Sequence, residues 1–112
     1  MKKYKMFING EWVEALSGQY YEDRSPYSGE LVGLVPAAGA EDAKLAIDAA
    51  QAAFPEWAAF SPTEKRKLLI KAADIIDRRM EEFAHMLALE TGAAQPFAKF
   101  QANTVSEFLR EA

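Results

Sequence analysis

The chain has 112 residues, of which 50% are apolar and 27% are charged, and its 13 basic and 17 acidic residues give a net charge of −4. A chain of this size can build one modest hydrophobic core, although it is short for an enzyme with separate coenzyme and substrate sites. It has no cysteine and one histidine, which excludes a disulfide scaffold, a cysteine nucleophile and a thiolate zinc site within these residues.

The charge distribution argues against a nucleic-acid or membrane partner. Residues 1–60 hold five basic and nine acidic residues, and residues 61–112 hold eight of each. Phosphate binding requires a concentrated positive face. The one local basic patch is most simply a solvated helix face: Lys65, Arg66, Lys67 and Lys71. No apolar run is long enough for a membrane span or a signal-peptide core, so we expect a cytoplasmic protein that binds neither nucleic acid nor membranes.

The first predicted element is a β-hairpin over residues 5–14. Asn9 and Gly10 lie between two short runs of β-compatible residues, and both tolerate the positive φ that a two-residue type I′ turn requires. Turn residues then separate two further predicted strands, an edge strand over residues 19–23 and a last strand over residues 31–35. Pro36 closes the last strand because it has no N–H to donate to a ladder.

Alanine-rich helices are predicted after this proline. Gly39 is a suitable N-cap for the first helix, and Glu41 and Asp42 place negative charge in its first turn, where the helix dipole favours it. Pro55 is expected to end this helix, and Trp57 is expected to fill a core position just beyond it. Small residues on one face would let another helix or a sheet approach closely: Ala46, Ala49, Ala50 and Ala53.

A long helix is predicted to begin at residue 62. Ser61 is the expected N-cap, Pro62 suits the first helical position, and Glu64 completes a capping box. An apolar stripe follows with gaps of three and four residues: Leu69, Ala72, Ile76, Met80, Phe83 and Leu87. Gly92 is the natural stop. A straight helix of this length exceeds what a small domain needs, so we expect a bend near residues 77–81.

The last helical pattern covers residues 96–112, with apolar spacing at Phe97, Phe100, Thr104, Phe108 and Ala112. No glycine, asparagine or proline closes this pattern at its end. We therefore expect the 112 residues to be the front of a longer fold. The alternative is a C-terminal helix that frays.

Few residues in the chain carry chemistry. His85 lies about one turn after Glu81 and Glu82, and a surface position with a contact at i, i+4 explains it better than a catalytic role does. These carboxylates, and the pair Asp74 and Asp77, have no cysteine or second histidine with which to bind a metal. The sequence also has neither a Gly-x-Gly-x-x-Gly nor a nucleotide phosphate loop. We expect no catalytic, cofactor-binding or metal-binding residue in this chain.

Seven short segments follow one another in a characteristic order and spacing. They are residues 7–13 (Phe-Ile-Asn-Gly-Glu-Trp-Val), 25–30 (Ser-Pro-Tyr-Ser-Gly-Glu), 35–38 (Val-Pro-Ala-Ala), 53–57 (Ala-Phe-Pro-Glu-Trp), 61–66 (Ser-Pro-Thr-Glu-Lys-Arg), 72–74 (Ala-Ala-Asp) and 89–92 (Leu-Glu-Thr-Gly). Together they resemble the N-terminal part of NAD(P)-dependent aldehyde dehydrogenases. Residues 93–100 are similar to the branch of benzaldehyde, salicylaldehyde and vanillin dehydrogenases. Ser25 and Ala93 depart from the family pattern, in which many members have asparagine and lysine.

The resemblance implies an α+β fragment in which a β-hairpin and short strands precede three or four α-helices, as at the start of the α/β coenzyme-binding domain of that fold. Residues 1–36 would be a strand layer and residues 37–112 the helical part of one incomplete structural unit. The complete enzyme would oxidise an aldehyde, of aromatic type in that branch, to a carboxylic acid with NAD or NADP, as a homo-oligomer.

The catalytic machinery of the family lies downstream of the matched part: the cysteine nucleophile, the glutamate base, the oxyanion asparagine and the coenzyme-phosphate loop. The chain alone is therefore expected to be inactive and to bind no coenzyme, and its expected partners are the missing downstream regions. The alternative hypothesis is a stand-alone helical module for protein interaction or assembly, which would use its uncovered apolar faces.

Overall fold

The computed structural model describes residues 2–112, and over this range it has four short strands and four helices. The strands are β1 (Met6–Ile8), β2 (Glu11–Val13), β3 (Tyr20–Arg24) and β4 (Leu31–Pro36). The helices are α1 (Ala40–Ala59), α2 (Pro62–Arg78), α3 (Met80–Thr91) and α4 (Gln95–Glu111). The predicted α+β class and the predicted order of elements are confirmed.

Contacts divide the chain into two compact units. The first comprises the chain up to Arg24 together with Glu30–Ala59, and the second comprises Ser25–Gly29 and Phe60–Ala112. The first unit therefore holds the strands and α1, and the second holds α2, α3 and α4. The expected division into a strand layer over residues 1–36 and a helical part over residues 37–112 stays a prediction.

The predicted hairpin is confirmed. Strands β1 and β2 pair in antiparallel register, and the two residues between them have φ values of 53° at Asn9 and 77° at Gly10. Asparagine and glycine tolerate such left-handed values, as a type I′ turn requires. Phe7 and Trp12 face each other across the pair, with ring centroids 4.9 Å apart.

Strands β3 and β4 form a second antiparallel sheet, and their predicted bounds are correct to within one residue. Residues 2–4 form main-chain hydrogen bonds with β4. The Tyr4 N–H donates to the Leu34 carbonyl at 2.9 Å, and the Leu34 N–H donates to the Lys2 carbonyl at 3.0 Å. Gly33 lies under the Tyr4 ring, and a Cβ at this position would come within 2.6 Å of the ring. A larger residue here would therefore have to displace the Tyr4 ring.

Helix α1 does not end at Pro55, and that prediction was wrong, because the helix continues to Ala59. Proline removes the hydrogen bond that its own N–H would donate. Only one further turn follows Pro55, so the loss of this bond falls near the end of an otherwise continuous 20-residue helix. Trp57 lies in that last turn and is 39% exposed. The prediction that its side chain fills a core position is therefore also wrong within the residues that the structure describes.

Helix α2 begins with the predicted capping box. The Ser61 Oγ accepts a hydrogen bond from the Glu64 N–H at 3.2 Å, and the Glu64 carboxylate accepts one from the Ser61 N–H at 2.8 Å. The long helix breaks at Arg79, inside the predicted bend, and Gly92 ends α3 with a φ of 72°. Helix α4 matches its predicted bounds to within one residue.

Helix α4 packs against both α2 and α3, and the positions buried in this second unit carry small side chains. Small residues at a contact let helix axes approach closely. The most buried positions on the three helices are Ala73, Ala84, Ala98, Ala102 and Ser106. Large apolar side chains remain on the outside of α4, where Phe97, Phe100 and Phe108 are exposed.

Candidate functional site

The first unit contains an apolar groove between the hairpin and α1. Its volume of about 470 Å³ lies within the usual range for small-molecule pockets. Much of its wall is aliphatic, including Met6, Ile8, Val13 and Leu45. Its ionisable lining residues are all acidic: Glu14, Asp42 and Asp48. A negative lining disfavours phosphate-bearing ligands, because like charges repel.

Asp42 is a buried residue that joins α1 to the connection between β2 and β3. It is 5% exposed. Its Oδ1 accepts a hydrogen bond from the Leu16 N–H at 3.0 Å, and its Oδ2 accepts one from the Gly39 N–H at 2.9 Å. The second bond belongs to the helix cap, because Gly39 precedes the first helical residue. Both carboxylate oxygens are occupied by backbone donors, so Asp42 has a structural role.

The sequence pattern around Asp42 indicates only a favourable charge at the start of a helix. Leu16, its second partner, lies 26 positions earlier in the chain, and no local pattern reveals a contact over that separation. The only sequence signal was an acidic residue three positions after the N-cap, which is where a capping box places its reciprocal acceptor.

In the second unit, Arg110 of α4 binds two carboxylates of α2. Its Nη2 lies 2.8 Å from Asp74 Oδ1 and 2.5 Å from Asp77 Oδ2. Hydrogen bonds from the Ser106 hydroxyl and from Arg110 hold the pKa of Asp77 below its ordinary value. The Ser106 hydroxyl also lies 3.5 Å from the Ala73 carbonyl, but the charged carboxylate is the stronger acceptor. The carboxylates at 74 and 77 therefore attach α4 to α2.

A wholly apolar cleft of about 220 Å³ lies in the same unit, and its lining residues are Ile76, Phe83, Leu87, Ala102 and Val105. The first three belong to the apolar stripe that the sequence predicted. These side chains have no hydrogen-bonding or ionisable group, so the cleft offers contact surface to an apolar partner and no catalytic group.

His85 and its neighbouring carboxylates lie on exposed parts of α3. His85 itself is exposed. Glu81 pairs with Lys99 of α4 at 2.8 Å, and Glu82 pairs with Arg79 at 2.6 Å. Both carboxylates therefore have basic partners other than the histidine, and the structure does not bring these three residues together as a catalytic group.

Along residues 2–112, no three side chains of histidine, cysteine, aspartate or glutamate gather as metal ligands. In the same stretch, the helices lack the combination of length and hydropathy that a bilayer-spanning segment needs. Arg66, Lys67 and Lys71 on α2 are exposed, as the solvated-face interpretation predicted, whereas Lys65 is half-buried. The described part of the chain thus offers apolar surfaces and ion pairs.

The fold is that of the N-terminal region of dehydrogenases. The chain matches a salicylaldehyde dehydrogenase from Pseudomonas putida G7, solved with salicylaldehyde, with a TM-score of 0.93 and 33% identity, over 99% of this chain and 23% of that one. It matches a 3,6-anhydro-L-galactose dehydrogenase, solved in complex with NAP, with a TM-score of 0.94 and 29% identity, over 98% of this chain and 23% of that one.

Sequence comparison identifies the family. The model of the aldehyde dehydrogenase family matches residues 12–112. The chain is 46% identical over 107 residues to a vanillin dehydrogenase from Pseudomonas sp. (strain HR199), covering 96% of this chain and 22% of the relative. It is 36% identical over 110 residues to a salicylaldehyde dehydrogenase from Pseudomonas sp. (strain C18), covering 98% and 23%.

The chain belongs to the aldehyde dehydrogenase family, as its seven segments indicated. The similarity to vanillin and salicylaldehyde dehydrogenases is also confirmed. The chain spans between a fifth and a quarter of the length of these curated relatives.

Proposed function

We propose that this chain forms the N-terminal segment of an NAD(P)-dependent aldehyde dehydrogenase that oxidises an aromatic aldehyde to its carboxylic acid. The observation that carries the proposal is the 46% identity to a vanillin dehydrogenase over 96% of the chain. The similarity to a salicylaldehyde dehydrogenase supports the same substrate class. A nicotinamide coenzyme is supported by the structural neighbour in complex with NAP.

The residues of this chain do not fit a dinucleotide. The sequence has no glycine-rich phosphate loop. In the apolar groove between the hairpin and α1, a diphosphate would lie against the carboxylates of Glu14 and Asp48. The chain also has no cysteine, whereas nucleophilic catalysis on an aldehyde by this family requires a thiolate. We therefore propose that polypeptide outside these residues supplies the coenzyme site and the nucleophile.

The contribution of the chain itself is structural. Contiguous exposed apolar surface marks an interface, and α1 and α4 both expose large apolar side chains: Leu45, Ile47, Phe54, Phe97, Phe100 and Phe108. In our proposal the rest of the coenzyme-binding domain covers these side chains, residues 1–36 are its strand layer, and residues 37–112 are its helical part. The complete enzyme is a homo-oligomer in this proposal. The cytoplasmic location stays a prediction from the sequence.

A stand-alone interaction or assembly module is the second candidate, because the same exposed side chains suit a separate protein partner. Gel filtration coupled to light scattering distinguishes the two candidates. A compact, monodisperse monomer favours the module. Self-association favours the enzyme segment, because such a segment exposes apolar faces that the rest of the domain covers in the complete enzyme.

The proposed function is tested by a chimera in which this chain replaces the matching residues of the vanillin dehydrogenase from Pseudomonas sp. (strain HR199). We expect a folded enzyme that reduces NAD when vanillin is added, measured by the absorbance of the reduced coenzyme. A chimera that does not fold, or that folds without activity, contradicts the proposal. The 112-residue chain alone should give no turnover with NAD and benzaldehyde. Turnover would contradict the proposal that the nucleophile lies in polypeptide outside these residues.

A further inference from the structure

We propose that Asn9 is a site of spontaneous covalent modification, at which the side-chain amide is converted to aspartate and isoaspartate through attack by the backbone nitrogen of Gly10. The site lies at the tip of the β1–β2 hairpin. It is independent of the proposed enzyme function, because it depends only on the local chemistry and geometry of the turn.

The hairpin tip leaves the reacting groups accessible. Asn9 and Gly10 are both exposed. Apart from its chain neighbours, no atom lies within 4 Å of the position that a Cβ on Gly10 would occupy. The last residue pair of the ladder is Ile8 with Glu11, so the two turn residues take no part in strand pairing. Side chains from other parts of the chain therefore do not crowd the Cβ side of Gly10, and the two exposed turn residues lie outside the strand ladder.

The reaction balances with water as the only co-reactant. The Gly10 nitrogen forms a bond to Asn9 Cγ, the Cγ–Nδ2 bond breaks, and Nδ2 leaves as ammonia with the proton lost from the Gly10 nitrogen. Water then opens the resulting cyclic imide at either of its carbonyl carbons. Opening at one carbonyl gives aspartate, and opening at the other gives isoaspartate.

The attack requires the main chain at Asn9 to leave the type I′ geometry, so the hairpin must open locally. Strands β1 and β2 have three residues each. A two-stranded hairpin of this kind is marginally stable by itself, and short, exposed elements open at low free energy. The fold therefore slows the reaction only modestly.

Asn103, the other asparagine in the chain, provides an internal control. It lies inside α4, and its Nδ2 donates a hydrogen bond to Glu107 Oε1 at 3.1 Å. The following residue is Thr104, whose branched Cβ crowds the attacking nitrogen. A regular helix also holds that nitrogen in the i→i−4 ladder. We expect Asn103 to remain unmodified while Asn9 reacts.

The modification would change the hairpin and the groove beside it. Asn9 contributes to the lining of the 470 Å³ groove, where the product adds a negative charge to the existing carboxylates. Isoaspartate also inserts an extra carbon into the main chain of a two-residue turn. Because the turn sets strand register, the contact between Phe7 and Trp12 should weaken in the isoaspartate form.

The experiment is incubation of the 112-residue chain at neutral pH, followed by peptide mapping with mass spectrometry and by labelling with an isoaspartate-specific methyltransferase. Asn9 should react at least about tenfold faster than Asn103, and within about tenfold of its rate in a peptide of residues 6–13. The variant Asn9→Gly keeps a residue that accepts positive φ and should show no product at the tip.

Two results would overturn the proposal. One is an equal rate at the two asparagines, which would remove any special reactivity of the hairpin tip. The other is an Asn9 rate more than about tenfold below that of the peptide, which would show that the turn is too stable to open.

Discussion

Replacement of Asp42 by alanine should loosen the attachment of α1 to the connection between β2 and β3. The carboxylate accepts hydrogen bonds from the backbone N–H groups of Leu16 and Gly39, and the residue is 5% exposed, so alanine leaves both donors without their acceptor. A hydrogen bond to a charged group contributes about 1.5–3 kcal/mol net. Two such bonds, reduced because water enters part of the opened site, correspond to a loss of about 3 kcal/mol.

The variant Asp42→Asn separates charge from shape. Its amide keeps one acceptor oxygen but places an NH2 group opposite the second backbone donor, so we expect a loss of about 2 kcal/mol. Asp48→Asn on the same helix is the matched control. Its carboxylate is more than half exposed and pairs with Lys44 one turn away, and such surface pairs contribute less than about 1 kcal/mol.

Urea unfolding followed by circular dichroism gives the free energy of unfolding of each variant, and amide hydrogen exchange reports on the two donors. The N–H groups of Leu16 and Gly39 should lose protection in both Asp42 variants and keep it in Asp48→Asn. Equal stability of Asp42→Ala and Asp48→Asn, with both amides still protected, would refute the reasoning. That result would show that the buried carboxylate does not hold the helix.

Three further predictions concern single contacts. Gly33→Ala should lower the free energy of unfolding in urea by about 1–3 kcal/mol, because the new Cβ meets the Tyr4 ring. If the losses of free energy from Gly33→Ala and Tyr4→Ala are strictly additive in the double variant, the clash is contradicted. Ser61→Ala should cost about 1 kcal/mol through loss of the N-cap and should speed amide exchange at the start of α2, and unchanged exchange would contradict the capping box. The Ser106 hydroxyl and Arg110 donate hydrogen bonds to Asp77 and lower its pKa. The stability that these bonds provide is therefore present at pH values above the unfolded-state pKa of Asp77. It is lost as the pH falls through the folded-state pKa. Arg110→Gln should raise the pKa of Asp77 in an NMR titration, and an unchanged value would argue against the ion pair.

Features that depend on neighbouring residues were predictable from the sequence. The Asn9-Gly10 turn requires two residues that accept positive φ, the Ser61 cap requires an acceptor and a glutamate three positions later, and the stop at Gly92 requires one glycine. Each signal lies within a few positions along the chain, so the physical cause and the sequence pattern coincide.

Features that depend on distant residues were not predictable. Asp42 contacts Leu16 across 26 positions, and Arg110 contacts Asp74 across 36, while each of these residues has a sufficient local explanation as a helix-end or surface charge. Pro55 shows the opposite failure, because a local rule for ending helices was overridden by the continuity of α1. Local rules describe preferences of a few tenths to a few kcal/mol, which the rest of a helix can outweigh.

The most direct measurement is kcat/KM for vanillin oxidation by the chimera that carries this chain in place of the matching residues of its vanillin dehydrogenase relative. We predict a folded chimera with kcat/KM within about tenfold of the parent enzyme, a difference of about 1.4 kcal/mol in transition-state stabilisation. A folded chimera whose kcat/KM for vanillin falls by about a thousandfold or more would contradict the assignment of this chain as the N-terminal segment of an aromatic aldehyde dehydrogenase.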